Sequence, residues 1–574
     1  MTRRVPLREI AHVRAGEKGD LVNLAVVPYR EQDAALLAAV VTPASIREVF
    51  GPIATGAITI YPAPGIGALN VVIEGARDGG RSRNIVFDES GKALSGLAVG
   101  MMVDVPDTTP LRSESIPEFD STDEPFPRGV VVGCATGWAR DRFESAGILV
   151  DRGDLDYLCF ETMSEVTMSA TQVARRRDPS IGGFDPYLLE RLVPIMAACR
   201  ERNVRIISNQ GWTDPEGAAR TLAKALGETG MHGVRIAAIE GGDLMGRLDD
   251  ARLRLDDGSP VSALGDSVVS AETYLGASEI AGALAAGADV VITSRVTDAS
   301  LFVGPLMHEL GLVPGMWDEL AMAVTVGHLL ECGAQVTGGY FADPGYKDVQ
   351  GLATIGYPLA HVTRDAAVIT KPSGTGGTVT PATCKEQLLY EVGDPGAYLN
   401  PDVTADFSGV RFRPVGRDRV RAEQFAGKPP PLTLKALVGV DEGWMNEQFV
   451  LYAGPGAGER AALAEDILRQ RLAAAGVPDD GVRFDRVGAD AVHREATPPT
   501  GAASYEVVLR IAMRGASRAE VDLLRREVDP MAATGPAGTG KWSPMGDLSR
   551  PVVGLRSASV PRDAVAVQIV TVES

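Results

Sequence analysis

Sulfur and imidazole are scarce in this sequence. Its 574 residues hold five cysteines and six histidines. The cysteines, at positions 134, 159, 199, 332 and 384, are odd in number, scattered and free of any Cys-x-x-Cys pair. That pattern fits reduced, intracellular thiols and argues against a disulfide scaffold or a structural zinc site. No His-x-x-x-His pair occurs either. Positive charge is short: 56 Lys and Arg face 75 Asp and Glu, a formal net charge of −19. A surface this acidic repels phosphate backbones, so nucleic acid is not expected as a partner. No run reaches the ~18 uninterrupted apolar residues a membrane helix needs. The nearest, Tyr274–Thr293, carries Glu279 and Asp289 and is broken by glycines. The basic opening Met1-Thr-Arg-Arg-Val-Pro leads into no apolar segment, so no signal peptide is expected. The expectation is a cytoplasmic protein with no membrane partner.

What is present is ordinary globular composition, 45% apolar and 23% charged. The length suits roughly three to four units at ~150 residues each. Residues 1–105 alternate strand-like runs (Leu24–Pro28, Ala57–Tyr61, Ala68–Glu74, Ser82–Phe87) with one helix-like run, Glu31–Val40, an α+β pattern. The stretch Asp104–Arg128 is polar and holds Pro106, Pro110, Pro117, Pro125 and Pro127, so residues 106–128 read as an extended linker. From Gly129 short apolar runs (Val130–Cys134, Tyr157–Phe160, Val204–Ser208, Val234–Ile239, Asp289–Thr293) alternate with helical periods. Alternating βαβα with strands apolar throughout predicts a parallel sheet flanked by helices over 129–340. Over 341–574 the pattern turns mixed, which predicts a second α+β region.

In parallel α/β sheets, ligands bind beyond the carboxyl ends of strands. The first run ends in Gly133-Cys134-Ala135-Thr136-Gly137, the second in Glu161 and the third in Asn209. The fourth ends in Glu240-Gly241-Gly242-Asp243, and the fifth in Arg295 with Asp298 three residues on. Carboxylates and an arginine at one edge suit acid/base work or oxyanion stabilisation. They could also hold a divalent cation, but no ligand-spacing motif supports one. Strand ends are also simply where a core stops and polar residues begin.

The largely apolar helix expected over Leu320–Gln335 carries His328, Glu331, Cys332 and Gln335 at i, i+3, i+4 and i+7, on one stripe. Either that stripe is solvated or it walls a site, with His328 as a proton carrier. Cys332 is poorly suited as a nucleophile beside an acid that raises its pKa. Lys371-Pro-Ser-Gly-Thr375-Gly376-Gly377 approaches a helix that Thr380 can cap and Pro381 can start. Backbone N–H groups there, with Lys371, make an anion-site candidate for a phosphate, a carboxylate or the diphosphate of CoA. The alternative is a plain capped turn. Gly535-Pro-Ala-Gly-Thr-Gly-Lys541 spells Gly-x-x-x-x-Gly-Lys, but Trp542 follows where a Mg²⁺-binding hydroxyl is needed, so it reads as a loop and not an NTPase. No Gly-x-Gly-x-x-Gly follows a strand, so neither flavin nor nicotinamide is expected.

Longer stretches are more specific. Gly133–Gly137, Asp156–Glu161, Ala174–Pro179, Ser294–Asp298, Gly327–Pro344, Lys371–Gly377 and Glu386–Val392, continuing through Asp406–Gly409, resemble the AtuA family of acyclic terpene utilisation proteins. Residues 4–103 resemble the separate AtuA-like ferredoxin-fold domain, through Ala11-His-Val-Arg-Ala-Gly-Glu-Lys-Gly-Asp20, Asn23 and Gly67–Asn70. That module more usually follows the large domain, whereas here it leads, and Val22 stands where Ser or Thr is usual. The resemblance implies a place beside carboxylases, hydratases and lyases that degrade branched isoprenoid acids.

The leading expectation is a lyase-like enzyme on a branched acyl thioester or organic acid. It would add or remove water, or cleave a C–C bond beside a carbonyl. Glu161 or Glu240 would move the proton, Arg295 and Asn209 would hold a carboxylate or enolate, and His328 would assist. Gly133, Thr136, Gly137, Asp243, Asp298, Glu331, Cys332, Gln335, Lys371, Thr375, Gly376 and Gly377 would line the substrate. No cofactor is expected beyond CoA as part of a substrate, and no divalent cation. A homo-oligomer is expected. The rival is a non-catalytic ligand-binding or scaffolding subunit.

Overall fold

The computed structural model describes residues 1–77, 79–112, 124–178, 180–499, 504–542 and 548–574. In the leading unit, strands Ala11–Lys18, Leu21–Pro28, Ala68–Ile73 and Ile58–Ala63 form an antiparallel sheet in that order. Thr2–Pro6 pairs with Met102–Pro106 in a separate small sheet, so Asp104 and Val105 belong to a strand. Residues 113–123 of the expected linker lie outside the described residues.

Side chains alternate across a strand. Ala11, Val13, Ala15, Val22, Leu24 and Val26 therefore share one face and pack on the unit's own helices through Leu37, Ile46 and Phe50. The helix carrying Ile46 and Phe50 starts cleanly because Thr42 and Ser45 form a capping box with Pro43 in its first turn. The opposite face is buried too: Ala25, Val27, Ala63 and Ala68 join the core of the large body. The buried polar members of that face are His12, Arg14, Asn23 and Asn70, and Lys18 stands exposed at the strand's end.

The large body is built on a ten-stranded sheet. At its centre Val130–Thr136, Tyr157–Phe160, Arg205–Ser208, Val290–Thr293 and Arg235–Glu240 run parallel in that spatial order. The wholly parallel sheet expected from the sequence is corrected at both edges. Leu359–Val362, Ala367–Thr370, Arg419–Glu423 and Arg411–Gly416 add antiparallel strands beside Val130–Thr136. Gln568–Glu573 adds another beside Arg235–Glu240. Leu359–Val362 with Ala367–Thr370, and Arg411–Gly416 with Arg419–Glu423, are joined by short turns and so pair antiparallel, and buried strands of either kind share one composition.

A second sheet is antiparallel and turns around the long strand Thr433–Ala453, flanked by Arg550–Pro561 and Glu506–Gly515. Val268–Thr273 also pairs with it, so that sheet draws on chain from both sides of residue 340. Gly540–Trp542, expected to lie in a loop, is a short strand on that sheet. Between the leading unit and the ten-stranded sheet runs the helix Trp317–Leu330, buried along Leu320–Leu330 because it is apolar all round. Among the described residues no single helix is long and apolar enough to cross a membrane.

Candidate functional site

The carboxyl ends of the parallel strands meet under the tip of the Ala11–Lys18 strand. Glu161 follows Tyr157–Phe160; its Oε1 accepts the Met163 amide at 2.9 Å and Asn209 Nδ2 at 3.2 Å. Thr136 Oγ1 donates to the Glu161 carbonyl at 2.7 Å, tying the first strand end to the second. Trp212, at φ +43°, donates from Nε1 to Thr162 Oγ1 at 3.3 Å. Arg295, after Val290–Thr293, is buried; it donates to the Met163 carbonyl at 2.7 Å and pairs with Asp298. Its guanidinium lies 4.4 Å from the centre of the Tyr274 ring. Tyr274 in turn donates to Glu165 at 2.7 Å, and Lys435 pairs with Glu165 at 2.9 Å.

The last turn of the buried helix supplies His328, whose Nδ1 lies 3.1 Å from Glu331 Oε1. Its ring stacks on Phe407 at 5.3 Å and tilts against Tyr398 at 5.1 Å. The helix stops at Leu330 rather than at the expected Gln335. Gly333 at φ +56° breaks it, and a Cβ on Gly137 would sit 2.5 Å from the Cys332 carbonyl carbon, so the two loops close on each other through glycine. Gln335 therefore leaves the stripe and accepts from Arg14 of the leading unit.

Carboxyls outnumber cations here. Burial and the neighbouring Asp298 push Glu161 well above the usual carboxyl range, against Arg295, Asn209 and the Met163 amide. Burial and Asp298 push Glu331 up in the same way, against Lys18 and Arg295. Burial and Lys18 lower His328 to about 4, which leaves a neutral imidazole near pH 7. Glu165 stays ionised, because Lys435 and Lys18 overcome its burial. Among the described residues at these strand ends, Ser294 Oγ, Arg295 Nε and Glu331 Oε2 are buried without a hydrogen-bond partner. Such atoms cost stability where nothing meets them, and they are what a polar ligand would satisfy.

Other expected site residues lie elsewhere. The Glu240 carboxylate accepts the Glu216 amide at 3.1 Å and stabilises the start of helix Pro215–Glu228. Asp243 is exposed and turns back onto the Met245 amide at 2.8 Å, while its charge helps raise the buried Glu272. Gly133 sits inside its strand against Leu149 and Leu155, a packing glycine. The Gly137 amide binds Asp141 at 2.7 Å. Asn209 spends both ends on protein, since its Oδ1 accepts the Thr162 amide at 2.8 Å; it positions Glu161 and is not free to hold an enolate. Burial, Glu331 and Glu391 keep the Cys332 thiol protonated.

The anion cradle expected at Lys371–Thr380 is overturned. Lys371 pairs with Asp418 at 3.1 Å and donates to the Thr375 carbonyl at 3.0 Å. Gly376 and Gly377 spend their amides on the carbonyls of Thr354 and Gln350, each at 2.8 Å. Thr375 Oγ1 donates to the Pro372 carbonyl at 2.6 Å. Thr380 and Thr383 close the helix start as a capping box ahead of Pro381–Leu388. The lysine charge is neutralised and the Gly376 and Gly377 amides are spent, so the two groups that made the segment an anion-site candidate are taken.

Lys18, Arg14, Tyr274, Tyr398 and Glu391 escaped sequence reasoning. The signal was present for the first two: His12, Arg14, Gly16 and Lys18 alternate along one strand, so they share a face. A Cβ on Gly16 would lie 2.5 Å from the Glu391 amide, which shows how closely that face approaches the large body. Among the described residues no group of His, Cys, Asp and Glu is arranged to hold a metal ion.

Residues 130–571 match the model for the acyclic terpene utilisation family protein AtuA, and residues 5–104 match the AtuA ferredoxin-like domain. No curated protein and no solved structure matches the chain.

Proposed function

Because the chain belongs to the acyclic terpene utilisation family AtuA, we propose that it is an enzyme of organic-acid or acyl-thioester breakdown. The reaction is lyase-like and moves a proton at the carbon beside a carbonyl. The observation that carries this reading is that Glu161 and Glu331 are both buried and both raised by burial and the charge of Asp298, beside the buried Arg295. Carboxyls crowded in this way do not all ionise together, so one keeps a proton while another acts as base. Glu161 is the acid: its Oε1 accepts two N–H groups, which leaves the proton on Oε2. Glu331 is the base, with an unpartnered Oε2 and with His328 orienting Oε1.

In a dehydration the α-proton passes to Glu331, the β C–O bond breaks, and Glu161 protonates the departing hydroxyl to give water. The carbonyl oxygen, negative in the enolate, faces Arg295 Nε and the Lys18 ammonium. The test is α-proton exchange in D₂O, followed by NMR, on a panel of branched acids and their CoA esters. Exchange lost in Glu331→Gln but kept in Glu161→Gln, with dehydration lost in both, is the expected result. Binding without exchange for every panel member would overturn it in favour of a ligand-binding subunit.

A further inference from the structure

Arg14 stands apart from every other buried cation of the site. It is 3% exposed, yet forms no ion pair among the described residues. Its one hydrogen bond goes to the neutral Gln335, and both Nε and NH1 are left without partners. Tyr390 and Tyr340 flank the guanidinium at 4.0 and 4.9 Å from their ring centres. Cation–π contact stabilises the charge but does not neutralise it. Glu386, which feels the Arg14 charge, is paired with His12 and Lys347, and Glu391 lies 3.9 Å from Lys92. A buried charge without a counterion is costly.

Position gives the cost a use. Gln335 and Cys332, beside Arg14, follow directly on Glu331, and the Arg14 charge is felt at His328 and Cys332. Tyr340, whose ring covers Arg14, is 45% exposed and stands at φ +56°, and its hydroxyl donates to the Ala15 carbonyl at 3.1 Å. Arg14 thus lies between the Glu331 end of the site and a half-exposed aromatic cover. We infer that Arg14 is an anion-binding residue for a carboxylate at the far end of the substrate, which is therefore an acid with a second anionic group. This inference rests on the Glu161–Arg295 cluster being the place of reaction. A carboxylate on NH1 would supply the missing counterion through a charge-assisted bond, and NH2 stays with Gln335.

The experiment uses the full chain and simple probes. Succinate, glutarate and adipate are titrated by calorimetry at low salt, each against its monomethyl ester and against inorganic phosphate. One diacid is expected to bind at least tenfold more tightly than its ester. Arg14→Gln should weaken that diacid roughly 10- to 150-fold, the worth of a charged hydrogen bond, and leave acid and ester equal. Arg14→Lys should fold and keep part of the preference. Equal binding of acid and ester in the native chain, or phosphate binding as tightly as the diacids, would overturn the inference. If neither variant folds, Arg14 is a structural residue and the inference fails. Diacid preference without α-proton exchange would sink the catalytic reading and spare the Arg14 site. Exchange indifferent to the second carboxylate would do the reverse.

Discussion

Asn209 fixes Glu161 twice: its Nδ2 donates to the carboxyl Oε1 at 3.2 Å, and its Oδ1 accepts the amide of the next residue, Thr162, at 2.8 Å. One side chain from the third parallel strand thus sets both the backbone and the carboxyl of the second strand's end. Asn209→Leu should cut turnover about 100-fold through a misplaced acid. Substrate affinity, measured by calorimetry, should change far less.

Glu161 trades stability for function. Its pKa is raised on folding, so the folded state is penalised above the unfolded value near 4.5, and the penalty grows until pH passes the folded value. Glu161→Gln removes that penalty. Urea unfolding should find the variant as stable as the native chain at pH 4 and more stable at pH 8, with turnover down at least ~100-fold. A variant less stable at pH 8 would contradict the buried-acid assignment.

Glu386 shows the opposite sign. Lys347 and His12 overcome its burial and hold it at about 2, against 4.5 for the ordinary group. That contributes about 3 kcal/mol above pH 5, lost as pH falls toward 2. Glu386→Gln should therefore destabilise the chain by about that much at pH 7 and by progressively less at pH 4 and 3.

Lys371 is expected to matter for folding alone. Lys371→Met leaves Asp418 without its partner and should cost about 3 kcal/mol, at the lower end for a broken buried pair because Asp418 is partly exposed. Phosphate and carboxylate affinity should be unaltered in calorimetry.

The Cys332 thiol is kept protonated by burial and two acids, so iodoacetamide at pH 8 should label it slowly. Cys332→Ser should retain most of the turnover. Rapid labelling with loss of activity would return a nucleophilic role to it.

The parts of this molecule legible from sequence are those decided locally. The five parallel strands announce themselves because burial on both faces makes them apolar throughout, and the residue after each is polar because the core ends there. The His328–Glu331 contact follows from helical spacing. Gln335 does not, since Gly333 ends the helix first. The Lys371 loop has the residue types of an anion site, but Asp418, which neutralises it, lies 47 positions away. Arg14 and Lys18 alternate visibly along their strand. What that strand's polar face rests against is settled only by the packing of two units distant in the chain.

The leading sheet meets the large body through a face, and among the described residues no strand pairs across the boundary. Asn23 and Asn70 donate to the carbonyls of Leu389 and Val392, and His12 reaches Glu386, so each answers to chain more than 300 positions on. A joint of this kind is indifferent to covalent order. Residues 1–106 moved behind Ser574, or supplied as a separate polypeptide, are expected to dock through the same side chains. Selection on such a joint acts on pairs of positions: a change at 12, 14, 23 or 70 is tolerated only with an answering change in 335 or 386–392. The unit is free to migrate along a gene, but not to change partner.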